Sequence, residues 1–534
     1  MLAYIYTFSF AASLGGLIAW FYYKDQPAMS RWMSRIFVGG FFTYLFALAF
    51  ADGAFSAKLF ILFRDFMVLS VVALFFNVVQ KYLYVFIAGL VLLYGSFRMG
   101  YQQVMMDSFK ALTTSEQKAD VQENFQSPTL ENIQGNRSLA KDGELLIELK
   151  EGKTINDIKQ EFFMRKFNLN GLRIAFDPED EDATILDNFV IADATNDIEL
   201  NNIIRFLDKA TDLVQYYEFN ESIQIDDPVA SDSELDIERG EFLVNDPGLS
   251  QSWSFKKLDV NQLHLDLKNK KIKPGKKALI AILDTGVDKN HEDLSAKYKS
   301  VANKNDKDAV GHGTHCAGIA AAVSNNGKGI ASYAFNNDFV EVTSIKVLND
   351  FGGGTQNGII NGMIKAADEG ADVISMSLGG RSSAAKQRAY NKAVEYANKK
   401  GAIVVVAAGN SNMDAKNYAP ANAKGVISVS AINQNIERAP FSNTVNNVGM
   451  GIAAPGVNIY STTPGNKYAS FNGTSMAAPH VAGLVGLMKS IYPDIDTESA
   501  YHILSKTGIE TKDTPKTGKL IQPAAAIDYL TKSD

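Results

Sequence analysis

Apolar residues are concentrated at the start of the chain, where four nearly uninterrupted runs follow one another. The runs cover Ala3–Tyr23, Ile36–Ala51, Leu59–Val79 and Tyr82–Phe97. A helix needs about 20 predominantly apolar residues to span a bilayer, and several of these runs approach that length. Residues 1–100 are therefore predicted to form an α-helical transmembrane bundle of about four helices, with three helices as the alternative.

Basic residues flank these runs unevenly. Lys24, Arg31 and Arg35 follow the first run, and Lys81 lies between the third and fourth runs, so these basic residues are on one side of the predicted bilayer. The loops on the other side have only Lys58 and Arg98. Because positively charged loops stay in the cytoplasm, four spans predict a multi-pass cell-membrane protein whose later domains are extracytoplasmic. Three spans would place those domains in the cytoplasm. Arg64 and Asp65 lie inside the third run, where a charge is a functional candidate, but we favour a pair at the outer interface.

The pattern changes twice before the middle of the chain. Residues 101–142 are polar with little periodicity, which predicts a flexible tether. Residues 143–225 then follow the order βαββαβ, typical of a ferredoxin-like α+β domain. The predicted strands are Glu144–Lys150, Leu172–Phe176, Ile185–Ala192 and Tyr216–Ile225, and the predicted helices are Ile155–Phe167 and Leu200–Leu213.

Residues 226–245 form an acidic stretch that predicts an exposed linker, and from residue 246 onward apolar runs alternate with helical segments. That alternation predicts an α/β domain, with a parallel sheet covered by helices on both faces. The predicted strands are Ala278–Leu283, Val340–Val347, Asp372–Leu378, Ile403–Ala408 and Val426–Ala431, and the predicted helices are Gly358–Glu369, Ser383–Lys399 and Thr497–Ser505.

Composition narrows the possible functions. The 534 residues exceed one average domain. The charge of 52 basic against 59 acidic residues gives −7, so nothing indicates a nucleic-acid partner. A single cysteine excludes an internal disulfide and a cysteine-based metal site.

Three polar residues stand out in the last domain. Ser475 lies in the sequence FNGTSMAAPH, which predicts a tight turn at the start of a buried helix, so this serine is either a helix cap or a nucleophile. Asp284 ends an apolar strand, where open α/β sheets place their sites, and His312 follows in GHGTHCAG. A serine hydroxyl needs a base to take its proton, and the base needs a carboxylate to orient it.

The motifs DTGVD, GHGTHCAG and GTSMAAPH, in that order, resemble those of the subtilisin-like serine peptidases, and HGTHCAG is similar to the proteinase-K branch. The resemblance extends from Asp246 to the C-terminus. It implies a subtilisin-like fold in which Ser475 is the nucleophile, His312 the general base and then acid, and Asp284 the residue that orients His312. Asn410 then matches the oxyanion asparagine, although an asparagine at a turn after a strand is the commoner case by itself.

The resemblance also implies the surroundings of the site. The segments Gly352-Gly353-Gly354 and Ser377-Leu378-Gly379 are similar to those that flank a peptide substrate in this family. Tyr418 lies near the specificity pocket, and the sequence leaves open whether it blocks or lines that pocket. By its position, the domain at 143–225 resembles the family's propeptide, a folding chaperone and inhibitor, with a maturation cut expected within Asp226–Asp246.

The family resemblance also implies which metal ion and which partners to expect. The chemistry requires no cofactor, but the family's structural calcium ion is expected at Asp293 and Asn325. The expected partners are a polypeptide substrate, the lipid bilayer and the protein's own propeptide domain. The leading hypothesis is therefore a membrane-anchored, self-processing serine endopeptidase. The alternatives are a non-catalytic membrane sensor with a degenerate peptidase domain, and a bundle that transduces a signal to the protease.

Overall fold

A computed structural model of the protein describes residues 2–23, 26–49, 62, 65, 68, 72, 140–178, 186–225, 229–230, 242–382 and 387–532. The chain forms two compact units, Met1–Asn124 and Phe125–Asp534. The predicted tether and most of the acidic linker lie outside the described residues.

The first unit contains two packed helices, α1 (Leu2–Tyr22) and α2 (Pro27–Ala49). Asp65 is fully buried among them, and its Oδ2 accepts hydrogen bonds from the hydroxyls of Tyr6 and Tyr44. Two phenol donors therefore hold Asp65 in the protein interior, and its position at the outer interface stays a prediction. Arg64 and nearly all of the third and fourth apolar runs lie outside the described residues. Among the helices that are described, none has the length and apolar content that crossing a membrane requires.

The second unit begins with a small α+β domain whose elements follow the order predicted from the sequence. Thr154 caps its first helix through a reciprocal hydrogen-bond pair with Asp157, and Asn196 caps its second. The four strands form an antiparallel sheet in the order β2-β3-β1-β4, with an apolar core against the helices. The elements are β1 (Ala140–Leu149), α3 (Ile155–Arg165), β2 (Leu172–Ile174), β3 (Phe189–Asp193), α4 (Asp197–Leu207) and β4 (Val214–Gln224).

The larger domain is built on a six-stranded parallel sheet in the order β14-β13-β11-β9-β6-β7. Its central strands are continuous apolar runs, because they are buried on both faces. The strands are β6 (Ala278–Asp284), β7 (Val340–Lys346), β9 (Val373–Met376), β11 (Ile403–Ala407), β13 (Val426–Ile432) and β14 (Gly451–Pro455).

Helices cover both faces of this sheet, as the alternating pattern predicts. One apolar core lies between the sheet and helices α7 (His312–Ala321) and α10 (Thr474–Ile491). The other lies on the opposite face, against α8 (Gln356–Asp368) and α9 (Arg388–Lys399). The predicted helix Ser383–Lys399 corresponds to α9, and residues 383–386 lie outside the described residues.

Short strands and peripheral helices complete the domain. Strand β4 of the small domain pairs with β8, β10 pairs with β12, and β15, β16 and β5 form a three-stranded sheet. These elements are β5 (Val229–Ala230), α5 (Trp253–Lys257), α6 (Val260–Asn269), β8 (Gly353–Thr355), β10 (Gly380–Arg381), β12 (Tyr418–Ala419), β15 (Ile459–Thr463), β16 (Lys467–Asn472), α11 (Thr497–Thr507), α12 (Thr514–Thr517) and α13 (Pro523–Lys532).

Candidate active site

Asp284 and His312 meet where strand β6 ends and helix α7 begins. His312 Nδ1 lies 2.8 Å from Asp284 Oδ1 and 2.9 Å from Oδ2, and both side chains are almost completely buried. Gly286 has a φ of 111°, and a side chain on Gly313 would collide with the Gly286 carbonyl oxygen. Glycine at both positions therefore lets the start of α7 approach the end of β6.

Asp308 holds this junction together, a role that the sequence analysis missed. Its Oδ1 accepts from the Gly311 N–H and the Thr285 hydroxyl, both at 2.8 Å, and its Oδ2 accepts from the Thr314 N–H at 2.8 Å. A carboxylate that accepts free N–H groups at a helix start stabilises that start. The sequence does show an acidic residue three positions before Gly311, but this residue lies in a polar loop without a motif, so its role at the helix start was not predicted.

Ser475 is the second residue of α10 and follows Gly473, whose φ is 154°. Its Oγ donates to the Ser377 carbonyl oxygen at 3.2 Å, and the residue is only half-buried. Its own carbonyl oxygen lies 3.4 Å from Cys316 Sγ. Cys316 follows His312 by four residues on α7, so the two share one face of the helix. The fold therefore brings Asp284 and His312 into contact and places Ser475 against the helix that carries His312.

Cys316, His315 and His480 lie nearby, but they are poor candidates for the catalytic nucleophile or base. Burial raises the pKa of the Cys316 thiol well above its usual value, and the charge of Asp284 raises it further, so the thiolate is disfavoured. Burial lowers the pKa of His315 and of His480 to about 3. His315 also stacks on Phe471 with 4.3 Å between ring centroids. The burial of both rings and the stacking of His315 on Phe471 indicate packing roles for the two histidines.

Asn410 lies three residues after β11 and contacts the start of the serine helix. Its Oδ1 accepts from both the N–H and the hydroxyl of Thr474 at 2.8 Å. This contact fixes the amide orientation, so that Nδ2 points away from Thr474. A Cβ on Gly473 would lie 3.5 Å from that Nδ2, which places the amide donor beside the turn that precedes Ser475.

The two predicted substrate segments flank a groove, and the small domain's own chain occupies it. Strand β4 pairs antiparallel with β8, with Ile223 opposite Gly354 and Gln224 opposite Gly353. The Ile225 N–H then donates to the Gly352 carbonyl oxygen at 3.1 Å. Across the groove, a Cβ on Gly380 would lie 3.7 Å from Ile223 Cγ1. The sequence predicted the two segments, but it did not predict that strand β4 lies between them.

Tyr418 lies against the turn that contains Asn410. A Cβ on Gly409 would lie 2.9 Å from the Tyr418 ring, and the Tyr418 hydroxyl donates to Ser411 Oγ. Residues 418–419 also pair with β10, which follows the segment Ser377–Gly379. The buried Tyr418 ring therefore packs on the turn that contains Asn410, beside the β10–β12 strand pair.

The predicted calcium position contains two buried carboxylates that share one loop. Asp293 accepts from Asn326 Nδ2 and the Ile330 N–H, both at 2.8 Å, and Asp246 accepts from the Asn325 N–H at 2.7 Å. Burial, together with the nearby charge of Asp246, raises the pKa of Asp293 to about 7. Asn325 itself is exposed and contributes its backbone N–H.

A hard divalent cation prefers several oxygen ligands, and Asp293 and Asp246 are the buried carboxylates at this loop. Asn326 presents Nδ2 to Asp293, while its Oδ1 accepts from the Lys328 N–H, so its side chain is not placed as a ligand. Calcium at Asp293 and Asn325 therefore stays a prediction. The buried Lys297 is a nearby cation, and burial lowers its pKa to about 7.

Comparisons with known proteins show the family of this chain. The sequence model of the subtilase family (Peptidase S8) matches residues 275–521. Thermitase from Thermoactinomyces vulgaris is 47% identical over 224 residues, which cover 41% of this chain and 77% of that protein. Subtilisin DY from Bacillus licheniformis is 41% identical over 260 residues, 47% of this chain and 91% of that protein. A solved protease structure from Pseudoalteromonas arctica PAMC 21717 is 30% identical, covers 54% of this chain and 99% of its own, and gives a TM-score of 0.47. The match to thermitase, which covers 77% of that protein at 47% identity, shows that the chain belongs to the subtilase family, and it is a subtilisin-like serine endopeptidase.

Proposed function

We propose that this protein hydrolyses peptide bonds through Asp284, His312 and Ser475. The main support is the 2.8 Å contact between His312 Nδ1 and Asp284 Oδ1 on the helix face that meets Ser475. Because a carboxylate only accepts, Nδ1 carries the proton and Nε2 is left as the base. His312 then takes the Ser475 proton as Oγ attacks the substrate carbonyl, and later gives it to the leaving nitrogen.

The attack produces an oxyanion that needs donors already in position. Asn410 Nδ2 and the backbone N–H of Ser475 supply them, since both lie at the N-terminus of α10, where the helix dipole also favours negative charge. The contact of Asn410 Oδ1 with Thr474 holds the side chain in place before substrate arrives. This arrangement supports acyl transfer and requires no cofactor for the chemical step.

Casein hydrolysis by single-site variants tests this proposal. Ser475→Ala and His312→Ala should each lose activity by a similar factor, on the order of 10⁶ in kcat as in the family, because the residues act as a unit. Ser295→Ala is the matched control, since Ser295 is exposed. A Ser475→Ala protein that retains wild-type activity would disprove the assignment.

We also propose that residues 140–225 are a propeptide that inhibits the peptidase until it is cut and removed. Two observations support this: strand β4 fills the groove, and buried polar contacts join the two domains. Glu148 of β1 is 2.9 Å from Lys392 Nζ and 3.2 Å from Arg388 Nη2 on α9. At the start of α8, Gln356 Nε2 donates to Glu218 at 2.7 Å.

Membrane anchoring with an extracytoplasmic peptidase domain is our proposal for residues 1–100. It is supported by the four apolar runs and by the exposed large apolar side chains of α1 and α2. Ser9 and Ser13 of α1 are buried, as is Asp65 outside these two helices. An exposed apolar face indicates a lipid or protein partner. The exposed side chains include Phe8, Trp20, Trp32, Ile36, Phe42 and Phe46.

Fractionation of cells expressing Ser475→Ala tests the anchoring. The uncut chain should stay in the membrane pellet after extraction with alkaline carbonate, and a C-terminal tag should be digested by protease added to intact spheroplasts. Release by carbonate would contradict anchoring, and a tag protected until lysis would contradict the proposed orientation.

A further inference from the structure

Strand β4 fills the groove beside β8, so its side chains show what a substrate strand in the same register would meet. Ile223 lies opposite Gly354, and Gln224 lies opposite Gly353. Successive side chains of a strand point to opposite faces. Ile223 and Ile225 are accordingly buried, whereas Gln224 is exposed. Burial of apolar surface therefore does not explain the position of the Gln224 side chain.

The Gln224 amide contacts the backbone of the segment that leads into β8. Its Nε2 donates to the Phe351 carbonyl oxygen at 2.6 Å. A Cβ on Gly353 would lie 3.0 Å from Gln224 Oε1, and a Cβ on Gly352 would lie 3.1 Å from Nε2. Gly352 also has a φ of 76°, which favours glycine. The two glycines therefore leave room for a side-chain amide to lie against the backbone.

Asn349 fixes the direction of the Phe351 carbonyl oxygen. Its Oδ1 accepts from the N–H groups of Phe351 and Gly353, at 2.9 and 3.1 Å. Its backbone N–H donates to the Gly353 carbonyl oxygen at 2.8 Å, and its own carbonyl oxygen accepts from the Gly352 N–H at 3.0 Å. These contacts close a tight turn, so the acceptor for the amide is held by the peptidase domain itself and not by β4.

We infer that this peptidase selects substrates with glutamine at the position opposite Gly353, because the Phe351 carbonyl oxygen binds the side-chain amide. The inference rests on the proposed function and names a substrate preference of the same site. The preferred substrates are polypeptides in which glutamine stands between two branched apolar residues, as it does in Ile223–Ile225. Asn349 is a positioning residue for this preference, since it acts through the Phe351 carbonyl.

Internally quenched peptides that differ at one position test this preference with self-processed wild-type protein. Each peptide has the sequence of Asn220–Ile225 followed by four alanines, with Gln224 either kept or replaced by methionine or glutamate. Methionine has a similar length without a donor, and an ionised glutamate only accepts. The glutamine peptide should exceed the methionine peptide by about two- to tenfold in kcat/KM, the range that one neutral hydrogen bond supplies, and the glutamate peptide should be the poorest.

Two variants of Asn349 separate this contact from the general integrity of the site. Asn349→Ala removes the acceptor of both N–H groups, so the ratio of kcat/KM for the glutamine peptide over the methionine peptide should fall to about one. Asn349→Asp keeps an acceptor oxygen and should retain the wild-type ratio. A preference that persists unchanged in Asn349→Ala would overturn the positioning role of Asn349.

Mass analysis of the products should show the same cut bond in all three peptides. Equal kcat/KM for the glutamine and methionine peptides in the wild type would overturn the inference, as would a different cut bond in the glutamine peptide. If the wild type hydrolyses the methionine peptide and casein, only the substrate preference fails in those cases. If it cuts neither the peptides nor casein, the proposed function fails as well.

Discussion

His312 Nδ1 lies 2.8 Å from Asp284 Oδ1, although 28 residues separate them in the chain. Asp284 is held in turn by the Thr285 N–H at 2.7 Å, and the Thr285 hydroxyl contacts Asp308. The same Asp308 stabilises the start of the helix that begins at His312. The orientation of the imidazole is therefore determined before any substrate binds.

Asp284→Asn should lower kcat by about 10⁴ with little change in KM, the effect known for a serine-protease triad, because an amide permits the wrong histidine tautomer. Steady-state hydrolysis of a chromogenic peptide measures both constants. Asp338→Asn, at an exposed turn, is the control. An Asp284→Asn enzyme that retained more than a tenth of the wild-type kcat would contradict the role assigned to this carboxylate.

Asn410→Asp should lower kcat by about 10²–10³, the range measured for loss of an oxyanion donor in subtilisin, a relative. The carboxylate still accepts from Thr474, so the local fold is retained, but a donor is replaced by a negative charge where the oxyanion forms. Ser475 labelling and KM serve as controls for an intact site. Wild-type kcat in Asn410→Asp would show that the oxyanion is held elsewhere.

Much of the peptidase fold was predictable because its strands are buried on both faces. The run Ala278–Leu283 predicted β6 to within one residue, and the helices predicted around residues 358–369 and 497–505 are present. The local motif around Ser475 also predicted a helix start there. These features depend on nearby residues and apolar periodicity, both of which a sequence displays.

Long-range polar contacts could not be predicted in the same way. Asp246 accepts from Asn325, 79 positions along the chain, and Asp308 links Thr285 to the start of α7, contacts that exist only in the folded state. Loop conformation decides which side chain faces Asp293, and in the folded chain it is Asn326 rather than Asn325. The pairing of β4 with β8 likewise joins segments more than 100 residues apart.

Calcium binding should strengthen as pH rises to about 7. Burial raises the pKa of Asp293 from 3.8 to about 7, so below that value a proton must leave before the cation binds. The apparent affinity of Ser475→Ala, measured by isothermal titration, should fall about tenfold for each pH unit below 7. Asp293→Asn should bind weakly at every pH, and an affinity independent of pH between 5 and 7 would contradict this assignment.

Without a cation, the Asp293 carboxyl group should make the folded protein less stable as pH rises. The folded state retains a proton that the unfolded chain has lost, so Asp293 should lower the free energy of unfolding as pH rises from about 4 to about 7. Calcium should therefore raise Tm more at pH 8 than at pH 5.5, whereas Asp293→Asn should show little calcium effect at either pH.

Removing the cations that face Glu148 should release the proposed propeptide faster. Glu148 is 2% exposed, and Arg388 and Lys392 are partly exposed, so their loss leaves a buried carboxylate with fewer partners. Arg388→Ala with Lys392→Ala should shorten the lag before casein hydrolysis by about tenfold. Lys399→Ala on the same helix, which pairs with the exposed Glu395, is the control. An unchanged lag would show that this contact does not hold the domains together.

The central claim is that Ser475 is an activated nucleophile, and labelling with a fluorophosphonate tests it most directly. Self-processed wild-type protein should take up one label per chain, and digestion with mass analysis should locate it on Ser475. Prior denaturation, Ser475→Ala and His312→Ala should each abolish the reaction. A label on another residue, or equal labelling of Ser475→Ala, would contradict the account.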